Sequence, residues 1–368
     1  MASRRQRLPS PWYLLLLLLL AVFLGLYQAG LLGPLGLGPS PAVITAPTGS
    51  WAQPFFTAPD FADKAPHQGG LDARVAADIE AAQEQVDIAS FEFNLESITQ
   101  ALLRAHERGV RVRLVLDGGN LGEEEMKAAT DRLLAAGIPI VFDQRRAFMH
   151  DKFVIIDRHI LWVGSWNLTE NDTYRNNNNL LRFDLPQLAE NYTAEFEEMF
   201  LDGKFGPKSP ENTPYPVLQL SDGSRIETYF APEENVRGAI MGRLREAKEE
   251  ILFMAFSFTD DDIARVLLEK AREGVRVRGV LESRQESPYS EYAVLRKAGL
   301  DVRLDGNPRT MHHKVFVIDG QVLITGSYNF SQNAAEENDE NILIIENAGL
   351  ARAYQEEFER VYQAAQEE

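Results

Sequence analysis

The pattern H-x-K-x4-D-x6-G-S-x-N occurs twice in this chain. It falls at His150, Lys152, Asp157, Ser165 and Asn167, and again at His312, Lys314, Asp319, Ser327 and Asn329. Both copies lie in register with longer self-similarity. Residues 109–117 (GVRVRLVLD) recur at 274–282 (GVRVRGVLE), and residues 90–93 (SFEF) recur at 255–258 (AFSF), both displaced by 165. Residues 149–157 recur at 311–319, displaced by 162. A duplicated unit of this size folds the same way twice. Most of the 368 residues therefore read as two like halves.

Within each half, helix and strand alternate. Apolar spacing predicts helices over 76–86, 98–108, 123–136 and 188–200, with Gly109 as a C-cap, and a closing helix over 351–363 in the second copy. Runs rich in Val and Ile predict strands over 86–93, 110–116, 139–142, 153–156 and 161–163. This alternation implies an α/β sandwich in each half. The expected bounds are repeat 1 over 69–202, a Pro- and Gly-rich linker over 203–224, and repeat 2 over 225–368.

The repeated motif carries the chemistry. His and Lys two apart on a strand point to one face. Gly allows close backbone approach, and Ser and Asn add donors at a turn. Two such sets facing each other make a pocket of two imidazoles, two ammoniums, two amides and two hydroxyls, which suits the tetrahedral oxyanion of a phosphate ester. One imidazole attacks phosphorus while the other, protonated, gives its proton to the leaving oxygen. Lysines and asparagines hold the nonbridging oxygens. The lysines supply the cationic clamp, so neither metal nor cofactor is needed. Asp157 and Asp319 follow apolar strands and read more readily as turn residues supporting the motif than as reacting groups.

These residues resemble the phospholipase D superfamily over about three hundred residues. The resemblance implies two similar α/β sandwich halves about a pseudo-twofold with one shared active site. It also implies phosphodiester hydrolysis or transfer on phospholipid or nucleic acid, with His150 as nucleophile and His312 as acid. The family further places an acid eleven residues after the motif asparagine, to orient a histidine across the halves. That acid is Glu340 in the second copy, but the first copy has Asn178 there. With crosswise pairing, Glu340 supports His150 and His312 meets only an amide.

The amino terminus sets the expected location. Arg4, Arg5 and Arg7 precede an uncharged stretch whose apolar part, about residues 11–32, is long enough to span a bilayer. Positive charge on that flank alone keeps residues 1–10 cytoplasmic and the rest extracytoplasmic. The length of the run favours a retained anchor over a cleaved signal peptide and secretion. Residues 33–68 read as a flexible tether. Beyond the first 41 residues, 34 lysines and arginines face 55 acids. Such a surface repels polyanions, which favours phospholipid over nucleic acid as substrate. The alternatives are an endonuclease, a phosphatidyl transferase resembling cardiolipin synthase, and, from another class, a non-catalytic binding protein. Both motifs share one chain, so no partner is required to complete the site. The chain has no cysteine, which excludes thiolate and disulfide chemistry.

Other residues carry weaker expectations. Arg145 and Arg146 precede the first motif, where they either greet an anionic substrate or lie in a solvated loop. The alternating arginines 111, 113, 276 and 278 read as a solvated strand face. Trp166 and Tyr328 read as packing residues. His67, His106 and His159 read as surface, and His313 should point away from the pocket. Sequons at Asn167, Asn171, Asn191 and Asn329 include two motif asparagines, where a glycan would destroy the site. This points weakly to a bacterial envelope.

Overall fold

The structure is a computed structural model that describes residues 43–44, 50–59, 67 and 69–365. The expected membrane span over 11–32 lies outside these residues. Among the described residues no helix is long and apolar enough to cross a membrane.

Two mixed sheets carry the chain. The first has seven strands in the spatial order Ala52–Phe56, Asn179–Asp184, Ile160–Gly164, Lys152–Ile156, Gln85–Ser90, Arg111–Asp117, Ile140–Asp143. The second runs Val43–Ile44, Val217–Leu220, Arg225–Ala231, Glu340–Glu346, Val322–Gly326, Lys314–Ile318, Glu250–Ala255, Arg276–Leu281, Asp301–Leu304. Seven strands of the second sheet repeat the first in order and direction. Their inner members are buried on both faces, which explains their unbroken Val, Ile and Leu runs.

The helices Leu71–Ala81, Glu96–Glu107 and Glu124–Ala135 contribute to a core cluster confined to the first half. The second half has its own. A third cluster joins the halves. It takes Val115, Ile155 and Leu181 from the first sheet and Val315, Val317 and Leu343 from the second. The long helices Pro186–Asp202 and Ala348–Ala364 add Tyr192, Phe196, Tyr354 and Phe358 to it.

Four expectations shift. The helix placed over 76–86 is Leu71–Ala81. The backbone N–H groups of Gln83, Glu84 and Gln85 are instead taken by the Asp157 carboxylate, so the chain leaves the helix early. Within the expected tether, Ala52–Phe56 is an antiparallel edge strand against Asn179–Asp184, a position that tolerates Pro54. Within the expected linker, Val217–Leu220 is a strand. Arg113 is not solvated: it is buried, forms a bidentate pair with Asp87 at 2.7 and 2.8 Å and lies over the Phe196 ring.

Candidate active site

Two short backbone bridges between the halves build the site. His150 N–H donates to Asp339 O and Asp339 N–H to Phe148 O, each at 2.9 Å. The mirror bridge joins His312 N–H to Asn177 O and Asn177 N–H to Thr310 O, also at 2.9 Å. Each H-x-K segment is thereby docked against the residue preceding position 340 or 178 of the other half. The two histidines then line one cleft of about 580 Å³, within the usual range for small-molecule sites.

The crosswise pairing follows. His150 Nδ1 lies 2.7 Å from Glu340 Oε2, and His312 Nδ1 lies 3.0 Å from Asn178 Oδ1. Ser165 and Ser327 are fully buried and work one layer down. Ser165 Oγ donates to Asn178 Oδ1 at 2.8 Å, and Ser327 Oγ donates to Glu340 Oε2 at 2.7 Å. They orient the histidines' partners and do not themselves line the cleft. The glycine before each serine is obligatory, because a Cβ would meet the carbonyl of Asn179 at 2.3 Å or of Asn341 at 2.1 Å. Asn167 and Asn329 line the cleft, and each has a buried Oδ1 without a hydrogen-bond partner.

Lys152 and Lys314 are almost completely buried. Each donates to the carbonyl of its own motif histidine, at 2.7 and 2.8 Å. Each also sits over a phenylalanine ring, Phe91 at 5.3 Å and Phe256 at 4.8 Å. The same rings meet the imidazoles edge-on. Burial lowers Lys152 to about 8, against the pull of Glu340 and Asp172. Burial and then repulsion from Lys152 hold Lys314 well below its ordinary value. Both histidines are held well down, by burial first and then by the two lysines. Glu340 is pushed up to about 8 by burial, with Lys152 and the Ser327 and Asn338 hydrogen bonds opposing. Burial thus works against the charged form of each of these groups.

Two residues escaped the sequence reading. Asp172 places Oδ2 3.5 Å from His312 Nδ1, so His312 has a carboxylate as well as an amide. Glu92 lines the cleft beside Asn167, 3.4 Å from its Nδ2. The signal for both lay in differences between copies. At the repeat displacements, Asp172 corresponds to Ala334 and Glu92 to Ser257.

Asp157 and Asp319 do not reach the cleft. Asp157 accepts three backbone N–H bonds, from residues 83–85, at 2.8–2.9 Å. Asp319 accepts the equivalent three from residues 248–250. Each fastens the start of a central strand, in line with the supporting reading of these two residues and not with a place beside the motif histidines and lysines. Asp157→Ala should lower unfolding free energy by about 2 kcal/mol, the cost of removing a charged acceptor from backbone donors. Turnover per folded molecule should be unchanged, as chemical denaturation paired with kinetics would measure. Arg145 is likewise structural, bonded to Asp143, Asp339 and the Glu337 carbonyl. His313 points away from the cleft, towards Glu357 and Asn179. Trp166 and Tyr328 are packed in the cores.

Two α/β halves sharing one site of two histidines and two lysines define the class of protein. A family model described as "Cardiolipin synthase, PLD-like domain" matches residues 75–200 and 240–362, over half the chain, so the chain belongs to this phospholipase D-like family. It is 38% identical over 125 residues to the mitochondrial cardiolipin hydrolase of Xenopus laevis, a match covering 34% of this chain and 60% of that protein. It is 31% identical over 163 residues to the phospholipase D of Rickettsia prowazekii, covering 44% and 79% respectively. The phosphatidylserine synthase structure from Haemophilus influenzae shares the fold, with TM-score 0.64 at 13% identity, over 80% of this chain and 84% of that one.

Proposed function

We propose that the protein hydrolyses a phospholipid phosphodiester through a phosphohistidine intermediate on His150. The observation that carries this is the cleft itself. Two histidines and two buried lysines converge beneath a mouth bearing Phe91, Phe148 and Phe256, and no arginine or lysine occurs among its described lining residues. Phe91, Phe148 and Phe256 give an otherwise polar lining an apolar part that an acyl-chain substrate can use. A polyanion would require a basic track.

In the attacking form, His150 donates Nδ1–H to Glu340 and presents a bare Nε2. Nε2 bonds to phosphorus as the bond to the leaving oxygen breaks. His312, protonated on Nε2, transfers that proton to the leaving alkoxide. Neutral His312 then takes a proton from water, whose oxygen attacks phosphorus and expels His150. An alcohol in place of water would give transfer. Lys152, Lys314, Asn167 and Asn329 hold the nonbridging oxygens. The bound diester carries the negative charge that offsets the two ammoniums and allows His312 to be protonated.

The span over 11–32 is proposed to hold the catalytic body at the outer face of a membrane, which fractionation with and without it tests.

The pH profile follows from Lys152. A lysine is cationic below its pKa, so the contribution of Lys152 to kcat/KM should be lost as pH rises through about 8. Lys152→Arg should move this alkaline limb upward, because arginine stays charged. The reading is tested by offering the purified chain labelled phospholipid, with and without alcohol, alongside single- and double-stranded DNA. Phosphatidic acid as product supports it, exclusive transfer to alcohol makes it a transferase, and DNA cleavage without lipid turnover overturns it in favour of a nuclease.

A further inference from the structure

The halves differ in one buried charge cluster outside the cleft. In the second half, the Glu357 carboxylate has two nitrogen partners: His313 Nε2 lies 2.9 Å from Oε1, and Arg360 Nη2 lies 2.7 Å from the same oxygen. At the displacement of 162, the first half has Glu195 for Glu357, Asp151 for His313 and Glu198 for Arg360. A histidine and an arginine have both become carboxylates. A fourth carboxylate, Glu233, arrives from the loop after the strand Arg225–Ala231.

Oxygens of Glu195, Glu198 and Glu233 lie within 4.8 Å of one another. Glu195 and Glu198 are 3% and 4% exposed. Glu198 Oε1 and Glu233 Oε2 are buried without hydrogen-bond partners. The Ser209 hydroxyl, nine-tenths buried, faces the Glu198 carboxylate without closing a hydrogen bond. It is an independent polar group aimed at the cluster. Burial raises Glu195 well up, Glu233 to about 9 and Glu198 to about 7. That is the cost of collecting carboxylates where the other half supplies a histidine and an arginine.

We propose that Glu195, Glu198 and Glu233 bind one Ca2+ ion, which clasps the helix Pro186–Asp202 of the first half to the loop after the strand Arg225–Ala231 of the second. An all-oxygen, carboxylate-rich set suits a hard divalent cation. Oxygens on opposite sides of one Ca2+ with bonds of about 2.4 Å would span the observed separation. None of the three glutamates lines the catalytic cleft, so the ion is structural and stands apart from the phosphodiester chemistry.

The test uses the full chain, stripped with chelator, and needs no substrate. Titration with CaCl2 in a calorimeter at pH 7.5 should show one ion per chain. Melting temperature should rise by about 5 °C at a hundredfold excess over Kd. Glu198→Arg, which copies the arrangement of the second half, should abolish binding and melt no lower than the calcium-free protein. Should that variant not fold, Glu233→Gln should weaken binding at least tenfold. A folded wild-type chain that takes up no Ca2+ would mean that protons neutralise the cluster, and would overturn the proposal. Uptake unchanged in Glu198→Arg or Glu233→Gln would place the ion elsewhere and overturn it equally.

Discussion

His150→Ala should lower turnover by roughly 10⁴-fold or more, the scale on which an enzyme loses a covalent nucleophile, while leaving the melting temperature close to that of the parent. His312→Asn should behave differently. With an aryl leaving group that needs no proton, the first step should survive, and the phosphorylated enzyme should accumulate because nothing activates water. Acid-labile label on a peptide containing residue 150 is the expected result, read by mass spectrometry after a rapid quench. Label on residue 312 in the parent protein would reverse the assignment of nucleophile and acid. That assignment rests on asymmetry. His150 meets the Glu340 carboxylate directly at 2.7 Å, whereas His312 meets the Asn178 amide first, with Asp172 behind it at 3.5 Å.

The second large effect concerns those partners. Glu340→Gln should cost roughly 10⁴-fold in kcat, the loss seen when a triad carboxylate becomes an amide. A carboxamide can donate to Nδ1 and so stabilise the tautomer whose Nε2 carries the proton. Asp172→Asn should be leaving-group selective. It should slow esters of poorly acidic alcohols by roughly 10²-fold, as expected for weakened general acid catalysis, and barely affect aryl esters. Comparing the two variants on both substrates separates a partner of the nucleophile from a partner of the acid. Equal losses on both substrates for Asp172→Asn would show that Asp172 does not act through His312.

Much of this was legible in the sequence because duplication turns one chain into a two-member comparison. The motif residues and the halves follow from aligning the copies; that positions 178 and 340 carry unequal partners follows from the family resemblance applied to each copy. What stayed hidden was compensation. Asp172 reaches His312 from a short helix, Glu170–Tyr174, six residues before the position where symmetry expects the acid. Spacing along the chain cannot show that a carboxylate has moved to a neighbouring element. The strand Ala52–Phe56 was obscured by Pro54 and by the prolines and glycines around it. Yet residues 55–59 (FFTAP) echo residues 229–232 (YFAP), at the end of the matching strand of the second sheet, Arg225–Ala231. Arg113 was misread because a strand arginine alternating with valine looks solvated. Its partner, Asp87, lies on the adjacent strand and makes burial tolerable.

The crosswise bridges have a consequence for when the protein can act. The hydrogen bond that sets the His150 tautomer joins residues 190 apart in sequence, and the one on His312 joins residues 134 apart. Contacts of such separation are made only after the intervening chain has collapsed. A ribosome-bound chain that has emitted only the first half has its attacking histidine but neither its carboxylate nor its acid. The chemistry is therefore withheld until the second half has been synthesised, and it switches on when the last strands dock.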